Sequence, residues 1–263
     1  MAKYVIKGGK KLEGRLRVTG AKNAILPILA AVILTSKPVI LHDCPRLADV
    51  DNMLLILRAV GCKAKREGTT LIIDPSTLST SVIPDSYVRE LRSSIVFLGA
   101  MLARLGKARV TYPGGCEIGQ RPINLHLSGL RQLGVTIDES HGYLDCSASE
   151  LRGADIHLDY PSVGATENIM LAASRAKGYT IIRNAAKEPE IVDLQNFINS
   201  MGGNVSGAGT NTIIIEGKER YDTTEYTVIP DRIVTGTYLL AAAITGSSLM
   251  VDNVGIEHIQ SII

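Results

Sequence analysis

The spacing of apolar and polar positions divides most of the chain into three copies of a unit of about 70 residues. Each copy opens with an apolar run of helical spacing, continues through a strand and a second amphipathic helix, and closes with two alternating strands. The first helices are predicted over 23–36, 92–105 and 166–176, and the strands that follow them over 39–41, 108–111 and 180–183. The closing pairs of strands are predicted over 62–65 and 70–74, 135–137 and 143–146, and 204–206 and 212–215.

A glycine marks the same place in every copy, ten residues after an Asp or Asn. The three pairs are Asp51 with Gly61, Asn124 with Gly134, and Asp193 with Gly203. Each glycine is predicted to end the second helix, where a left-handed residue lets the chain turn into the next strand. Since every element has one apolar face, the copies must stack to bury these faces. The pattern therefore predicts an α/β fold of three repeated helix-strand-helix-strand-strand units.

Two elements stand outside the three copies. A fourth copy opens at Asp231, with a helix predicted over 233–244 and a strand over 248–251, and it reaches only Ile263. At the amino end of the chain, the alternation of apolar and polar residues predicts a strand over 3–7. Either these elements pair with each other, or the working molecule is longer than this chain.

Three copies around a pseudo-threefold axis bring the starts of their first helices together. The residues there are 20–23, 92–94 and 162–166, and they include Lys22 and Arg92. Helix amino termini present free N–H groups and partial positive charge. With two added cations, this place is predicted to receive phosphate or carboxylate groups of a small molecule.

A second candidate site is the segment 112–122, which has three glycines and two prolines in eleven residues and is predicted to be a mobile loop. Cys116 follows two of the glycines, so its thiol is expected to be accessible. Arg121 could stabilise a thiolate or hold an anionic substrate. For His126, in the helix that follows, a structural role, a ligand contact and proton transfer all stay open.

Each of these residues also has a simpler explanation. Ser162 and Thr166 are suitable helix caps, and Lys22 can be a solvated surface charge. A single Cys in a loop is more often inert than catalytic, and Cys116 has no His beside it in a protease-like pair.

The charge balance argues against a nucleic-acid partner. Lys and Arg number 28 against 26 Asp and Glu, a formal net charge of +2, which is too balanced for sequence-independent binding of phosphates. Aromatic residues make up 4% of the chain, with no Trp and two Phe, so platforms for stacking bases are scarce as well. The 45% of hydrophobic residues is typical of a soluble globular protein.

The sequence also lacks the signals of a membrane protein, of a metal site and of a nucleotide-binding site. The longest apolar run, 24–34, contains Pro27 and is well short of the roughly 20 residues that a membrane span requires. The amino terminus lacks the apolar centre of a secretory signal, which predicts a cytoplasmic protein. The four cysteines show no CxxC or metal-ligand spacing and are expected to be free thiols, most of them in the core. The motifs of dinucleotide, P-loop and zinc-protease sites are missing from the sequence.

Several segments together resemble the UDP-N-acetylglucosamine 1-carboxyvinyltransferases, a family of enolpyruvyl transferases. The segments are GAKNAILPILAA (20–31), LRSSI (91–95), PGGCEIGQRPINLHLSGLRQLG (113–134), PSVGATENIMLAA (161–173), NAAKEPEIVDLQNF (184–197) and IPDRIVTGTYLLAAA (229–243). The resemblance extends over the whole chain, and the Cys-bearing loop followed by Arg-Pro is its most specific part. It implies the inside-out α/β barrel of that family.

The resemblance also implies a reaction. Phosphoenolpyruvate would donate its enolpyruvyl group to the 3-hydroxyl of UDP-N-acetylglucosamine and release phosphate, as the first committed step of peptidoglycan synthesis and without a cofactor. Addition and elimination through a tetrahedral, phosphate-bearing intermediate require an acid at the methylene carbon and cations around the phosphate and carboxylate.

By similarity, the catalytic residues are Cys116, Lys22 and Arg121. Cys116 would be the lid thiol that acts as general acid, bonds covalently to phosphoenolpyruvate and is attacked by the antibiotic fosfomycin. Lys22, Arg92 and Arg121 would hold the anionic groups. The UDP-sugar pocket would be lined by Asn23, Arg121, Pro122, Ile123, Asn124, Leu125, Ser162, Val163 and Gly164.

The chain departs from the family pattern at two positions and in length. Asn124 stands where the family often has Asp, and Tyr160 where it often has Lys, so uridine contacts are expected to differ. The family fold has two domains of three units each. The resemblance thus places a complete first domain at 22–229 and part of the second at 1–21 and 230–263.

That length carries an expectation about activity. The second-domain Asp that deprotonates the sugar and an Arg that clamps phosphoenolpyruvate would lie beyond Ile263. A cleft enzyme needs both walls to exclude water and assemble its charges, so this chain alone is expected to have little or no activity without the missing segment.

Two other functions stay open. The chain could be a non-catalytic UDP-sugar binding or regulatory module that retains the pocket of the first domain. The chain could also be an enzyme that acts on the ends of RNA and has a similar repeated fold, such as an RNA phosphate cyclase. The near-neutral charge and the lack of a catalytic His motif disfavour this function.

Overall fold

The computed structural model describes residues 3–90, 92–112 and 122–263. The α-helices in these ranges are α1 (Lys22–Ala31), α2 (Ala48–Ala59), α3 (Asp85–Glu90), α4 (Phe97–Leu105), α5 (Asn124–Gln132), α6 (Val163–Ala173), α7 (Pro189–Ser200) and α8 (Arg232–Thr245). The strands are β1 (Glu13–Arg17), β2 (Val39–His42), β3 (Lys63–Glu67), β4 (Thr70–Asp74), β5 (Lys107–Thr111), β6 (Thr136–Ser140), β7 (Tyr143–Ser147), β8 (Asp155–His157), β9 (Tyr179–Arg183), β10 (Asn204–Ser206), β11 (Thr212–Glu216), β12 (Thr224–Thr227) and β13 (Ser248–Asp252). Short 3-10 helices cover Val32–Leu34, Arg92–Val96 and Ile256–His258.

The first helices of the three units form the centre of the molecule. Every residue is buried over 24–31 of α1, 97–102 of α4 and 165–173 of α6. These runs consist largely of Ala, Ile, Leu and Met, which favour helix and lack the polar face of a surface helix. The sheets lie outside them. The predicted α/β fold of three repeated units, with helices inside, is therefore confirmed.

Each unit carries its own small sheet. The hydrogen-bonded order is β2-β4-β3 in the first unit, β5-β7-β6 in the second and β9-β11-β10 in the third, and all these pairs are antiparallel. The sheets remain separate within the described ranges and do not form one closed, hydrogen-bonded barrel.

A segment from the preceding unit adds a parallel partner to each sheet. β8 follows the second unit and pairs with β9 of the third, while β12 follows the third and pairs with β2 of the first. Between the first and second units a single bridge from Val82 to Arg109 takes this place. The units are thus linked in a ring that β12 closes. The sequence pattern did not predict β8, β12 or α3, which all lie in connections between units.

The strand predicted over 3–7 is wrong. These residues form no strand, and Tyr4, Val5 and Ile6 are almost fully exposed. The first strand is β1, which pairs in parallel with β13. The two elements outside the three copies do therefore pair with each other, about ten residues later than predicted at the amino end. Alternation alone does not make a strand, because stability comes from a paired neighbour and a buried face.

The glycine marker holds in two copies and shifts by one residue in the third. Gly61 and Gly134 have φ of 105° and 92°, as a left-handed helix end requires. In the third unit the left-handed residue is Gly202, with φ of 91°. Gly203 is needed for space, since a Cβ there would lie 2.5 Å from Ile198 Cγ2 and 2.8 Å from the Ile198 carbonyl oxygen.

Helix α8, which opens the fourth copy, is capped at both ends. The carboxylate of Asp231 accepts hydrogen bonds from the N–H groups of Ile233 (2.8 Å) and Val234 (3.0 Å), and Gly246 ends α8 with φ of 58°.

Within the described ranges, no helix combines the length and apolar character that crossing a bilayer would demand.

Candidate active site

A cavity of about 300 Å³ lies where the first helices of the three units begin. Asn23 of α1, Ser93 of the 3-10 helix that precedes α4, and Val163 of α6 all contribute to its wall. Leu26, Pro27 and Val96 supply apolar surface. Because Pro27 has no N–H, the carbonyl of Asn23, four residues earlier, is left without its helical partner at this wall.

Acidic side chains form the other part of the wall. Glu167, Glu188 and Glu190 line the cavity together with Arg232. Arg232 donates two hydrogen bonds to the buried Glu190 carboxylate, from Nε to Oε1 at 3.0 Å and from Nη2 to Oε2 at 3.3 Å. Glu188 Oε2 is buried and finds no hydrogen-bond partner among the residues that the structure describes. Arg232 therefore balances one of three carboxyl groups.

Glu167 is one of the two buried carboxyl groups that face the cavity. Burial raises the pKa of Glu167 to about 8, and repulsion from Glu190 and Glu188 acts in the same direction. At neutral pH this carboxyl is therefore mostly protonated. A neutral Glu167 lowers the negative charge that an anionic guest would meet in the cavity.

Lys22 lies beside the cavity wall. Its Nζ is 2.9 Å from Asp49 Oδ2, with side chains 45% and 35% exposed, so water weakens this ion pair. Its backbone N–H donates to Asp231 Oδ2 at 3.2 Å, which ties the start of α1 to the cap of α8. Lys22 is thus not simply a solvated charge, because its side chain is ion-paired and its backbone is hydrogen-bonded.

The predicted segments at α5 and α6 lie against each other. A Cβ at Gly164 would be 3.1 Å from His126 Cε1, so the buried ring of His126 packs directly on the start of α6. The Asn168 side-chain amide donates to His126 Nδ1 at 3.1 Å. Because an amide N–H can only donate, Nδ1 accepts this hydrogen bond, and the contact holds α5 against α6.

Asn168 also connects α6 to the segment that begins with Arg92. Its Oδ1 accepts from the Gly99 N–H at 2.6 Å, and its Nδ2 donates to the Ile95 carbonyl at 3.1 Å. Ile95 and Gly99 are four residues apart and would pair directly in a continuous α-helix. The Asn168 side chain bridges the two groups where the 3-10 helix Arg92–Val96 passes into α4.

The remaining substrate-binding candidates occupy the starts of α5 and α6. Pro122 and Asn124 are exposed, whereas Ile123 and Leu125 are buried, so the last two can offer backbone groups but little side chain. Ser162 caps α6, with Oγ accepting from the Ala165 N–H at 3.4 Å. Thr166 is no cap, because α6 begins at Val163 and the Thr166 hydroxyl accepts from the Ala186 N–H.

Three candidates fall wholly or partly outside the described part of the chain. Cys116 and Arg121 lie in 113–121, and of Arg92 the backbone alone is described. The other three cysteines, Cys44, Cys62 and Cys146, are buried free thiols, as predicted. Burial raises the pKa of each to about 12, so they are inert at neutral pH.

Comparison with known proteins decides the family. The family model described as EPSP synthase (3-phosphoshikimate 1-carboxyvinyltransferase) matches residues 6–263. The chain belongs to this carboxyvinyltransferase family. It is 57% identical over its whole length to UDP-N-acetylglucosamine 1-carboxyvinyltransferase 2 of Caldanaerobacter subterraneus subsp. tengcongensis and 49% identical to UDP-N-acetylglucosamine 1-carboxyvinyltransferase of Halothermothrix orenii. The resemblance seen in the motifs is thereby confirmed. The chain spans 63% of the length of each of these two relatives.

Solved structures agree on the carboxyvinyltransferase fold. The enolpyruvyl transferase NikO from Streptomyces tendae superposes with a TM-score of 0.79 at 26% identity, over 89% of this chain and 56% of that one. EPSP synthase from Acinetobacter baumannii superposes with a TM-score of 0.74 over 95% of this chain and 58% of that one, at 21% identity, which supports the fold alone.

In this carboxyvinyltransferase chain, sequence reasoning missed most of the charged residues around the cavity. Glu167, Glu188, Glu190 and Arg232 follow no repeat spacing, and they lie in the third and fourth copies. A detectable signal was the pair of acidic residues at the start of α7, Glu188 and Glu190, together with Arg232 directly after the cap residue of α8.

Proposed function

We propose that this protein takes part in enolpyruvyl transfer from phosphoenolpyruvate to the 3-hydroxyl of UDP-N-acetylglucosamine, with release of phosphate and without a cofactor. The observation that carries the proposal is the 57% identity over the whole chain to a relative named for this reaction. The cavity at the three helix starts supports it, because it lies beside the segments that the resemblance assigns to the substrates.

The reaction has two stages. In the addition, the sugar oxygen forms a bond to C2 of phosphoenolpyruvate, the hydroxyl proton passes to a base, and C3 gains a proton from an acid. In the elimination, the bond from C2 to the phosphate oxygen breaks, phosphate leaves, and C3 returns a proton to restore the double bond. Charge on the phosphate and carboxylate persists throughout, so fixed cations are needed.

The catalytic residues follow from these needs. Cys116 supplies the proton at C3 and is the thiol that fosfomycin would alkylate. Lys22, Arg92 and Arg121 hold the phosphate and carboxylate. Support for Lys22 comes from its position at the first turn of α1, directly before Asn23 of the cavity wall, and from its partly exposed ion pair with Asp49.

The UDP-sugar pocket in this proposal is formed by Asn23 with the starts of α5 (122–125) and α6 (162–164). The contact of His126 with Gly164 supports this grouping, because it holds the two helix starts side by side. The starts of α5, where Asn124 is exposed, and of α6 supply free backbone N–H groups that a diphosphate can accept.

The proposal extends to organisation and location. Residues 22–229 form the first domain, and 1–21 with 230–263 belong to a second domain whose further residues complete the cleft. The reaction places the protein in peptidoglycan synthesis, and hence in cell-wall growth, cell shape and division, in the cytoplasm. Because the chain spans 63% of its relatives' length, we expect slow or no turnover by these 263 residues alone.

Binding and covalent labelling test the proposal without requiring turnover. Calorimetry of the 263-residue protein should detect UDP-N-acetylglucosamine but not shikimate 3-phosphate. Mass spectrometry after incubation with fosfomycin and the UDP-sugar should find one adduct, on Cys116. The Cys116→Ser variant is the matched control, since the three other thiols are buried and protonated and should stay unlabelled.

Each outcome has a definite meaning. Binding of the UDP-sugar without an adduct would favour the non-catalytic binding module over the transferase. Binding of shikimate 3-phosphate in place of the UDP-sugar would overturn the assigned acceptor. A turnover rate equal to that of a full-length relative, measured as phosphate release, would refute the expectation that further residues complete the cleft.

A further inference from the structure

A second cleft, of about 910 Å³, lies at the opposite ends of the same three central helices. Its wall includes Leu34 at the end of the 3-10 helix after α1, Arg104 in the last turn of α4, and Arg175 just after α6. The loop 219–222 and the end of α7 complete it. Asn23 and Leu34, eleven residues apart on one helical segment, belong to different cavities, so the two sites are roughly 17 Å apart.

Two guanidinium groups in this cleft lack acidic partners. Arg104 Nε is buried and has no hydrogen-bond acceptor among the described residues. Arg175 donates to backbone carbonyls, from Nη1 to Leu34 at 3.2 Å and from Nη2 to Glu219. No carboxylate of the described ranges makes an ion pair with Arg104 or Arg175. A buried N–H without an acceptor is costly, and it points to an acceptor from outside the chain.

The two groups also repel each other. Burial lowers the pKa of the Arg175 guanidinium, and the positive charge of Arg104 lowers it further, against smaller opposing effects of Tyr221 and Glu219. Guanidinium remains charged at any physiological pH, so the repulsion is not relieved by loss of a proton. An anion between the two groups would relieve it.

The cleft as a whole has an excess of positive charge. Lys37, Arg104, Arg175 and Arg220 line it against two acidic residues, Glu219 and Asp222. Lys37 and Asp222 neutralise each other through an ion pair of 2.7 Å. The remaining three cations face one exposed carboxylate, which leaves a local charge of about +2.

A purely structural role explains part of this arrangement. Cations are favourable at helix carboxyl ends, and Arg175 satisfies a free carbonyl at Leu34. The same role does not explain Arg104, whose buried Nε contacts no carbonyl of the described residues. A structural role also does not explain why Arg104 and Arg175 line a cleft of about 910 Å³.

We propose that this cleft is an anion-binding site for a small molecule that carries a phosphate or diphosphate group, held between Arg104 and Arg175. Planar guanidinium forks match phosphate oxygens in bidentate geometry. Arg220 and Lys37 at the rim would attract the ligand, and the volume accommodates a group larger than phosphate alone. The site is separate from the cavity of the proposed enolpyruvyl transfer and does not depend on that function.

Pyrophosphate is the probe, and calorimetry is the measurement. All proteins carry Lys22→Gln, so that anion binding beside the other cavity is weakened. We expect pyrophosphate to bind, and Arg104→Gln and Arg175→Gln each to lower its affinity at least tenfold. Arg15→Gln is the control, because Arg15 is exposed and ion-paired with Asp252 on β13, away from the cleft. The affinity should fall as salt rises.

A spectroscopic readout keeps the test valid if a variant fails to fold. In the protein labelled with ¹⁵N-arginine, the Nε–Hε signal of Arg104 should shift on addition of pyrophosphate. No binding, no shift of that signal, or equal affinity in Arg104→Gln and Arg15→Gln would each overturn the site.

Discussion

Asn184 and Asn253 hold the same position in two different units. Each directly follows the first strand of its unit, with a left-handed backbone at φ of 55° and 57°. Each donates its side-chain amide to the carbonyl just after the parallel neighbour strand, at 2.8 Å to Leu158 and 2.7 Å to Val18. The parallel partner strand is therefore fastened to its sheet by the same side-chain bond in both units.

Asp43 is the corresponding residue of the first unit, with φ of 59°. A carboxylate cannot donate to a carbonyl, and Asp43 instead accepts from Arg17 (2.8 and 2.9 Å) and from Asn253 (3.0 Å). The change from Asn to Asp thus connects the first unit to β1 and β13, which stand outside the three copies.

The Asn184 position allows the backbone and side-chain contributions to be separated. Asn184→Gly keeps the left-handed backbone and should cost about 1 kcal/mol for the lost hydrogen bond, plus some chain entropy. Asn184→Ala should cost about 1 kcal/mol more, because left-handed strain of about 1–2 kcal/mol outweighs its smaller entropy loss. Urea denaturation measures both variants. Equal free energies of unfolding for Gly and Ala would contradict this account.

The Asn168 bridge should be a large contributor to stability. Asn168→Ala leaves the Gly99 N–H, the Ile95 carbonyl and His126 Nδ1 without their side-chain partner, and we expect a loss of about 3 kcal/mol. Asn204→Ala, which removes an exposed hydrogen bond to Glu216, is the control and should cost less than 1 kcal/mol. Similar losses in the two variants, measured by urea denaturation, would show that the bridge is not important.

Glu167 should make stability depend on pH. Its folded pKa of about 8 is above the ordinary value of 4.5, so the native state retains a proton that the unfolded state loses. Its contribution to stability is complete below pH 4.5 and is lost as pH rises through 8, with a slope of at most about 1.4 kcal/mol per pH unit. The Glu167→Gln variant, unfolded in urea from pH 5 to 8.5, should lack this part of the decline. Parallel curves for the two proteins would contradict the raised pKa.

The fold was largely predictable because its signals are local and repeated. Runs of Ala, Ile and Leu with helical spacing predicted α1, α4 and α6 to within a few residues. The alternation of apolar and polar residues predicted the two strands that close each unit. The misses are elements whose existence depends on distant partners. Residues 3–7 alternate but pair with no strand of the described residues, whereas β8 and β12 are short and form because β9 and β2 offer a parallel edge.

The candidate site was predictable only in part. The repeat brings Asn23, Ser93 and Val163 to one cavity, because symmetry fixes where the helices start. The charges around it do not repeat. Glu167 looks like a polar residue on an apolar helix until α6 is seen to be buried on all sides, and Asp49 acquires a role only through its distance to Lys22.

The contact between Gly164 and His126 gives a test of the proposed UDP-sugar pocket. A Cβ at position 164 would meet Cε1 and Nε2 of the ring at 3.1 and 3.3 Å, so Gly164→Ala should push the start of α5 away from α6 by a few tenths of an ångström. If both helix starts bind the UDP-sugar, its affinity in calorimetry should fall about tenfold, or about 1.4 kcal/mol, with little change in melting temperature. In the double variant with His126→Ser the space is restored, and most of the affinity should return. Unchanged affinity in Gly164→Ala, or no recovery in the double variant, would mean that the two helix starts do not form one pocket.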